Sequence, residues 1–126
     1  MPEISVFSDQ RCTHEIDATY VAESGHNPGA GDGSAAFDKN SSTAWRPGCH
    51  PCNEKAAWIT LSTTTKAQCV SASNLGNGSG GPGPLTWNDG ILVESQNSDN
   101  SWATAMFSKS GNSAHLGNRL KLYPNF

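Results

Sequence analysis

The chain has 126 residues, of which 35% are hydrophobic and 15% charged, with a formal net charge of −3; this is the size of one ordinary domain with a modest core. Its Lys and Arg never cluster beyond the pair Arg119 and Lys121, which argues against a nucleic-acid partner. No apolar run approaches the roughly 18–20 residues of a membrane-spanning helix, and the abundance of Ser, Asn, Gly and Thr disfavours helix in favour of short strands and polar loops.

Met1-Pro2-Glu3 leads straight into a strand-like segment, so no signal peptide is expected. Glu3–Ser8 alternates, with Ile4, Val6 and Ser8 on one side, and predicts a strand. Glu15–Ala22 predicts a second, with Ile16, Ala18, Tyr20 and Ala22 on one face. Ser24–Ser34 reads as a loop, Ala35–Trp45 as a compact polar turn, and Arg46–Lys55 as a second loop. Ala56–Leu61 and Ala67–Ala72 are buried-strand candidates. Asn74–Pro84 is the longest stretch rich in Gly and Pro. A linker is its plain reading, but the roughly forty residues that follow are too few for a separate domain. Gly90–Gln96, Trp102–Ser108 and Gly117–Tyr123 complete the strands, with a turn at Asn97–Ser101. No amphipathic helix and no internal repeat appears. Seven or eight short strands separated by turn signals predict an all-β sandwich or jelly roll in one domain, 1–126. Disorder is countered by four Trp and four Phe beside alternating apolar runs.

The four cysteines, Cys12, Cys49, Cys52 and Cys69, allow three disulfide pairings. The preferred one joins Cys12 to Cys69 and Cys49 to Cys52, the second a tight local staple. The sequons Asn40-Ser41-Ser42 and Asn77-Gly78-Ser79 are compatible with secretion. Together these features lean towards an extracellular protein. Cys49-His50-Pro51-Cys52 has the form of a redox motif, but such motifs set the first cysteine at a helix N-terminus, and the flanks here are loop and β. Zinc at Cys49, His50 and Cys52 lacks an evident fourth ligand. No G-x-S-x-G, no HExxH and no clear carboxylate pair is present, so no enzyme activity is expected.

Ala36-Phe37-Asp38-Lys39-Asn40-Ser41-Ser42-Thr43-Ala44-Trp45 resembles the A-F-D-G-[DN]-x-S-T-x-W signature of the discoidin, or coagulation-factor type C, domain. That family includes the galactose-binding-like family-32 carbohydrate-binding modules. Ala57–Leu61 (AWITL), Val93–Trp102 (VESQNSDNSW) and Arg119–Pro124 (RLKLYP) are similar, in order, to three later segments of the family. The match spans roughly residues 20 to 124. Lys39 stands where the family has Gly, and the chain stops before the family's closing strand. Pro2–Ser8 resembles that missing strand, which suggests a circular permutation; a truncated or divergent domain is the alternative.

The resemblance implies a discoidin-like jelly-roll β-sandwich. It implies a structural Ca²⁺ held by Asp38, Thr43, the Ala35 carbonyl and, if the chain is permuted, Glu3; Asn40 lies at a suitable offset in the same turn. Calcium takes 6–8 oxygen ligands, and a plain Asx turn stapled by its own side chains is the other reading of this segment. Trp45, Trp58 and Trp102 fall at core positions of the family. Trp87, beside Asn88 and Asp89, is an indole at the end of the Gly-rich stretch and suits stacking on a sugar ring, although plugging one end of the sandwich would also explain it. Family ligand loops lie at the same end as the Ca²⁺ turn, which adds His26, Asn27, Arg46 and His50. The expected function is therefore a non-catalytic, lectin-like module for glycans of galactose type or related sugars. Weak single sites would call for several copies, through oligomerisation or tandem modules. An adhesion domain of the same fold, binding protein or phospholipid, is the rival. Membrane insertion is disfavoured because SGHNPGAG and GNGSGGPGP are small and polar.

Overall fold

A computed structural model describes residues 4–26, 32–37, 45, 55–72, 91–108, 110–112 and 116–124. Within them the chain is all-β. The strands are β1 (Ile4–Phe7), β2 (Glu15–Ile16), β3 (Ala18–Glu23), β4 (Ile59–Thr63), β5 (Cys69–Ala72), β6 (Ile91–Gln96), β7 (Trp102–Ser108), β8 (Ser110–Asn112) and β9 (Arg119–Pro124). One turn of 3-10 helix spans Gly33–Ala36. The strands form two antiparallel sheets, one in the order β2-β1-β5-β8 and the other β3-β4-β9-β6-β7.

The alternation read from the sequence locates the core. In β1, Ile4 and Val6 are buried while Ser5 and Phe7 are half-buried. Ile4, Val6 and Val70 of the first sheet meet Ile59, Leu61, Val93, Leu120 and Leu122 of the second, with Trp45 and Leu116 filling the layer between. Each such apolar side chain removed from water contributes about 1.5–3 kcal/mol. This facing arrangement is the layered solution available to sheets that are apolar on one side.

Two expectations change on this frame. The stretch Glu15–Ala22 is not one strand. It divides at Asp17, with β2 pairing to β1 in one sheet and β3 pairing to β4 in the other. A chain turning a sandwich corner must leave one hydrogen-bond ladder before joining the next. Ile16, Ala18 and Tyr20 still pack against the core. An irregularity between Tyr20 and Ala22 then sets Ala22 opposite Thr60, because a bulged residue reverses the side-chain alternation beyond it. Val21, the residue between, is exposed. The second change is β8, Ser110–Asn112, an edge strand held to β5; Ser-Gly-Asn has no apolar alternation to announce it.

The β6–β7 hairpin forms where expected. Asn97 N–H donates to the Ser101 carbonyl, and Asn100 takes φ 72°, a left-handed conformation that Asn tolerates. The Cys12–Cys69 disulfide is present, with the Cα atoms 5.6 Å apart, and ties the turn after β1 to the start of β5. Cys49 and Cys52 lie outside the described residues.

Candidate functional site

The registers bring several chain segments to one end of the sandwich. Glu23, the last residue of β3, pairs with Ile59, the first of β4, and Ile59 pairs with Leu122 near the end of β9. Ile91, opening β6, pairs with Pro124 and with Ser108. Two residues beyond Ser108 the chain is in the other sheet, where Ser110 pairs with Ser71, and Ala72, next to Ser71, pairs with Ile4. Glu23 and Ile59, on either side of residues 24–58, and Ala72 and Ile91, on either side of residues 73–90, therefore stand at this end, as does the start of β1.

The described part of this end is built on β3 and the 3-10 helix. Trp58 N–H donates to Ser24 Oγ (3.0 Å), and Ser24 N–H donates to the Trp58 carbonyl (2.9 Å), closing β3 against β4. Trp45, fully buried, donates its indole N–H to the Gly25 carbonyl at 3.2 Å. Asp32 caps the 3-10 helix by accepting from the Ser34 N–H at 2.9 Å. The Ser34 hydroxyl and N–H hold the Asp32 carboxyl below the ordinary carboxylate range. Gly33 is required by close approach: a Cβ there would stand 2.6 Å from Tyr20 Cε1 and 2.7 Å from Ile59 Cδ1.

His26 Nδ1 lies 2.6 Å from Glu23 Oε1, with the His26 side chain 42% exposed and that of Glu23 only 9%. Glu23 Oε2 is buried with no hydrogen-bond partner among the described residues, a costly position for a carboxylate oxygen. Burial, and then the nearby Glu23 and Asp32 carboxylates, push the Tyr20 hydroxyl above its usual pKa. The pair fixes the orientation of the imidazole and leaves Nε2 as the ring atom for a further hydrogen bond.

Of the expected ligand residues, His26 stands at this end. Asn27, Arg46, His50, Trp87, Asn88 and Asp89 lie outside the described residues. Of the expected metal ligands, Ala35 is buried in the 3-10 helix, while Glu3, Asp38, Asn40 and Thr43 lie outside the described residues. Among the described residues no group of three His, Cys, Asp or Glu is arranged to hold a metal ion. None of their helices is long and apolar enough to cross a membrane.

A second cluster occupies the outer face of the five-stranded sheet and was not anticipated. Trp45 is a core residue as expected, but Trp58 and Trp102 are not: both are partly exposed. Ile59 and Leu61 point inward, so Trp58 and Thr60 point out. The register sets Thr60, Lys121, Glu94 and Thr104 in one row across β4, β9, β6 and β7. Lys121 Nζ sits 4.4 Å from the Trp58 ring centre, 5.4 Å from Tyr123 and 5.8 Å from Trp102, within cation–π range of all three. Beside it Glu94 is buried and accepts from the Tyr123 hydroxyl at 2.6 Å, with Lys55 Nζ 3.5 Å from its other oxygen. Burial, reinforced by Glu94, drives the Tyr123 hydroxyl far above its ordinary pKa. The alternation in Ala57–Leu61 already implied that Trp58 faces away from the core.

No protein-family model matches the chain, and no curated protein or solved structure matches it significantly. The class that the fold defines is a disulfide-stapled, all-β protein of two antiparallel sheets.

Proposed function

We propose that this chain is a non-catalytic carbohydrate-binding module of the discoidin-like, jelly-roll type, extracellular, with a ligand site at the end of the sandwich bearing His26. The observation that carries the reading is the convergence of anchors. Residues 24–58 and 73–90 include His26, Asn27, Arg46, His50 and Trp87–Asp89 in sequence, and the strand residues that flank both stretches stand at that end, as does the start of β1, next in sequence to Glu3. Loops displayed from one end of a rigid sandwich are a common way to build a binding site. The segments Ala57–Leu61, Val93–Trp102 and Arg119–Pro124, which carry the family resemblance, fall largely on the neighbouring strands β4, β9, β6 and β7. The disulfide supports an oxidising compartment.

A structural Ca²⁺ belongs to the same reading. The donors proposed for it, from Glu3, Ala35, Asp38, Asn40 and Thr43, are all oxygen, the chemistry Ca²⁺ selects. Ala35 is held buried in the turn that precedes Asp38. Such an ion would hold the 24–58 connection in shape.

A glycan array probed with multivalently displayed protein, with Ca²⁺ and again with chelator, tests the proposal. Binding to a coherent set of terminal sugars, lost with chelator, is the expected result. A blank array from folded protein would instead favour an adhesion domain with a protein partner, and binding to sugar-free vesicles would favour a phospholipid partner.

A further inference from the structure

The outer face of the five-stranded sheet carries a charge that the whole chain does not. The chain is net −3, yet the described residues on this face include Lys55, Arg119 and Lys121 against the single acid Glu94. Glu94 is already committed, with one oxygen on the Tyr123 hydroxyl and the other near Lys55. It makes no ion pair with Lys121, its cross-strand neighbour. The Lys121 ammonium is held instead among Trp58, Tyr123 and Trp102, with no carboxylate within ion-pair distance among the described residues. Arg119, two residues earlier on the same side of β9, is exposed.

A cation fixed between partly exposed indoles is complementary to a ligand that joins an anion to a flat apolar face. Sugar acids have that form: the pyranose ring presents C–H groups to an aromatic plane, and its carboxylate projects from the ring edge. A neutral sugar could use the indoles but not the ammonium. A simple anion could use the ammonium but not the indoles. We infer that the outer face of the sheet, centred on Lys121 with Trp58 and Trp102, is a second saccharide site, selective for uronic-acid-containing glycans and separate from the end of the sandwich. The inference rests on the carbohydrate-binding reading above and specifies its ligand class at a different surface.

The test titrates the intact protein with trigalacturonate, with its neutral methyl ester and with sodium acetate, followed by amide and indole N–H signals in nitrogen-15 spectra. Trigalacturonate is expected to move the Trp58 and Trp102 indole signals and the amides of β4, β7 and β9. The ester should bind about ten-fold more weakly or not at all, the loss of one charge-assisted contact. Lys121→Gln, at a partly exposed position, should weaken trigalacturonate by a similar factor while leaving the dispersed spectrum intact. Lys121→Arg should retain binding. Should Lys121→Gln disturb the fold, Arg119→Gln provides the second variant, with a smaller loss expected. Equal binding of acid and ester, or acetate reproducing the shifts, would overturn the inference. So would trigalacturonate shifts confined to His26 and its neighbours, though these would leave the carbohydrate-binding reading standing. Failure of this probe together with a blank glycan array would remove both.

Discussion

Replacing both Cys12 and Cys69 by Ala removes a cross-link between residues 57 apart in sequence. In the chain-entropy account, freeing a loop of that length enlarges the denatured ensemble by about 4 kcal/mol at 25 °C. Cys69 is fully buried, so loss of its sulfur adds a small packing term of the same sign. A domain of this size commonly has about 5–15 kcal/mol in total, so the variant should fold but sit near the margin. With an unfolding entropy of about 2.1 cal/mol/K per residue, 4 kcal/mol corresponds to a fall in Tm of roughly 15 °C. Urea unfolding followed by tryptophan fluorescence measures it, because Trp45 is buried in the core and becomes solvated on unfolding. The midpoint should drop sharply, and the m value should rise slightly as the unlinked denatured chain expands. A loss below about 1 kcal/mol with m unchanged would refute the reasoning. It would mean that the denatured loop was already restricted by residual structure.

Other perturbations probe single contacts. Tyr123→Phe leaves buried Glu94 Oε1 without its hydroxyl donor and should cost about 1–3 kcal/mol in urea unfolding; a neutral result would mean that water replaces the phenol. Because Tyr123 titrates higher in the fold than the free value of about 10, its stabilising effect is complete below pH ~10 and is lost as pH rises through the folded pKa. Wild type should therefore weaken as pH rises above ~10 more than Tyr123→Phe does. Asp9 accepts from the Thr13 hydroxyl and from the His14 and Thr13 N–H groups, which hold its carboxyl well below the ordinary range. Its contribution is present above pH ~4 and is lost as pH falls through the folded pKa; an NMR carboxyl titration centred near 3.9 would contradict this. Gly33→Ala forces a methyl against Tyr20 and Ile59 and should destabilise by about 1–3 kcal/mol, with an unchanged thermal midpoint as the opposing result.

Local pattern was sufficient wherever one period governed a segment. Ile4 and Val6 face the core as their alternation requires, the Asn97–Ser101 turn closes its hairpin, and Cys12 meets Cys69. His26 was legible only as a polar residue in a loop, whereas its 2.6 Å contact with a buried Glu23 was not. Trp58 was assigned to the interior through family position, although its place between inward-facing Ala57 and Ile59 pointed the other way.

The sequence by itself thus determined an all-β chain, most of its strands, the inward face of β1 and one disulfide, because these depend on spacing within a few residues or on a single pairing choice. Only the tertiary structure decided that Asp17 separates two sheets, that a bulge sets Ala22 opposite Thr60, and that Lys121 lies among three rings beside a Glu94 engaged by Tyr123 and Lys55. Those features depend on register between strands far apart in the chain, and a one-residue slip in any of them would carry the same side chains to the opposite face.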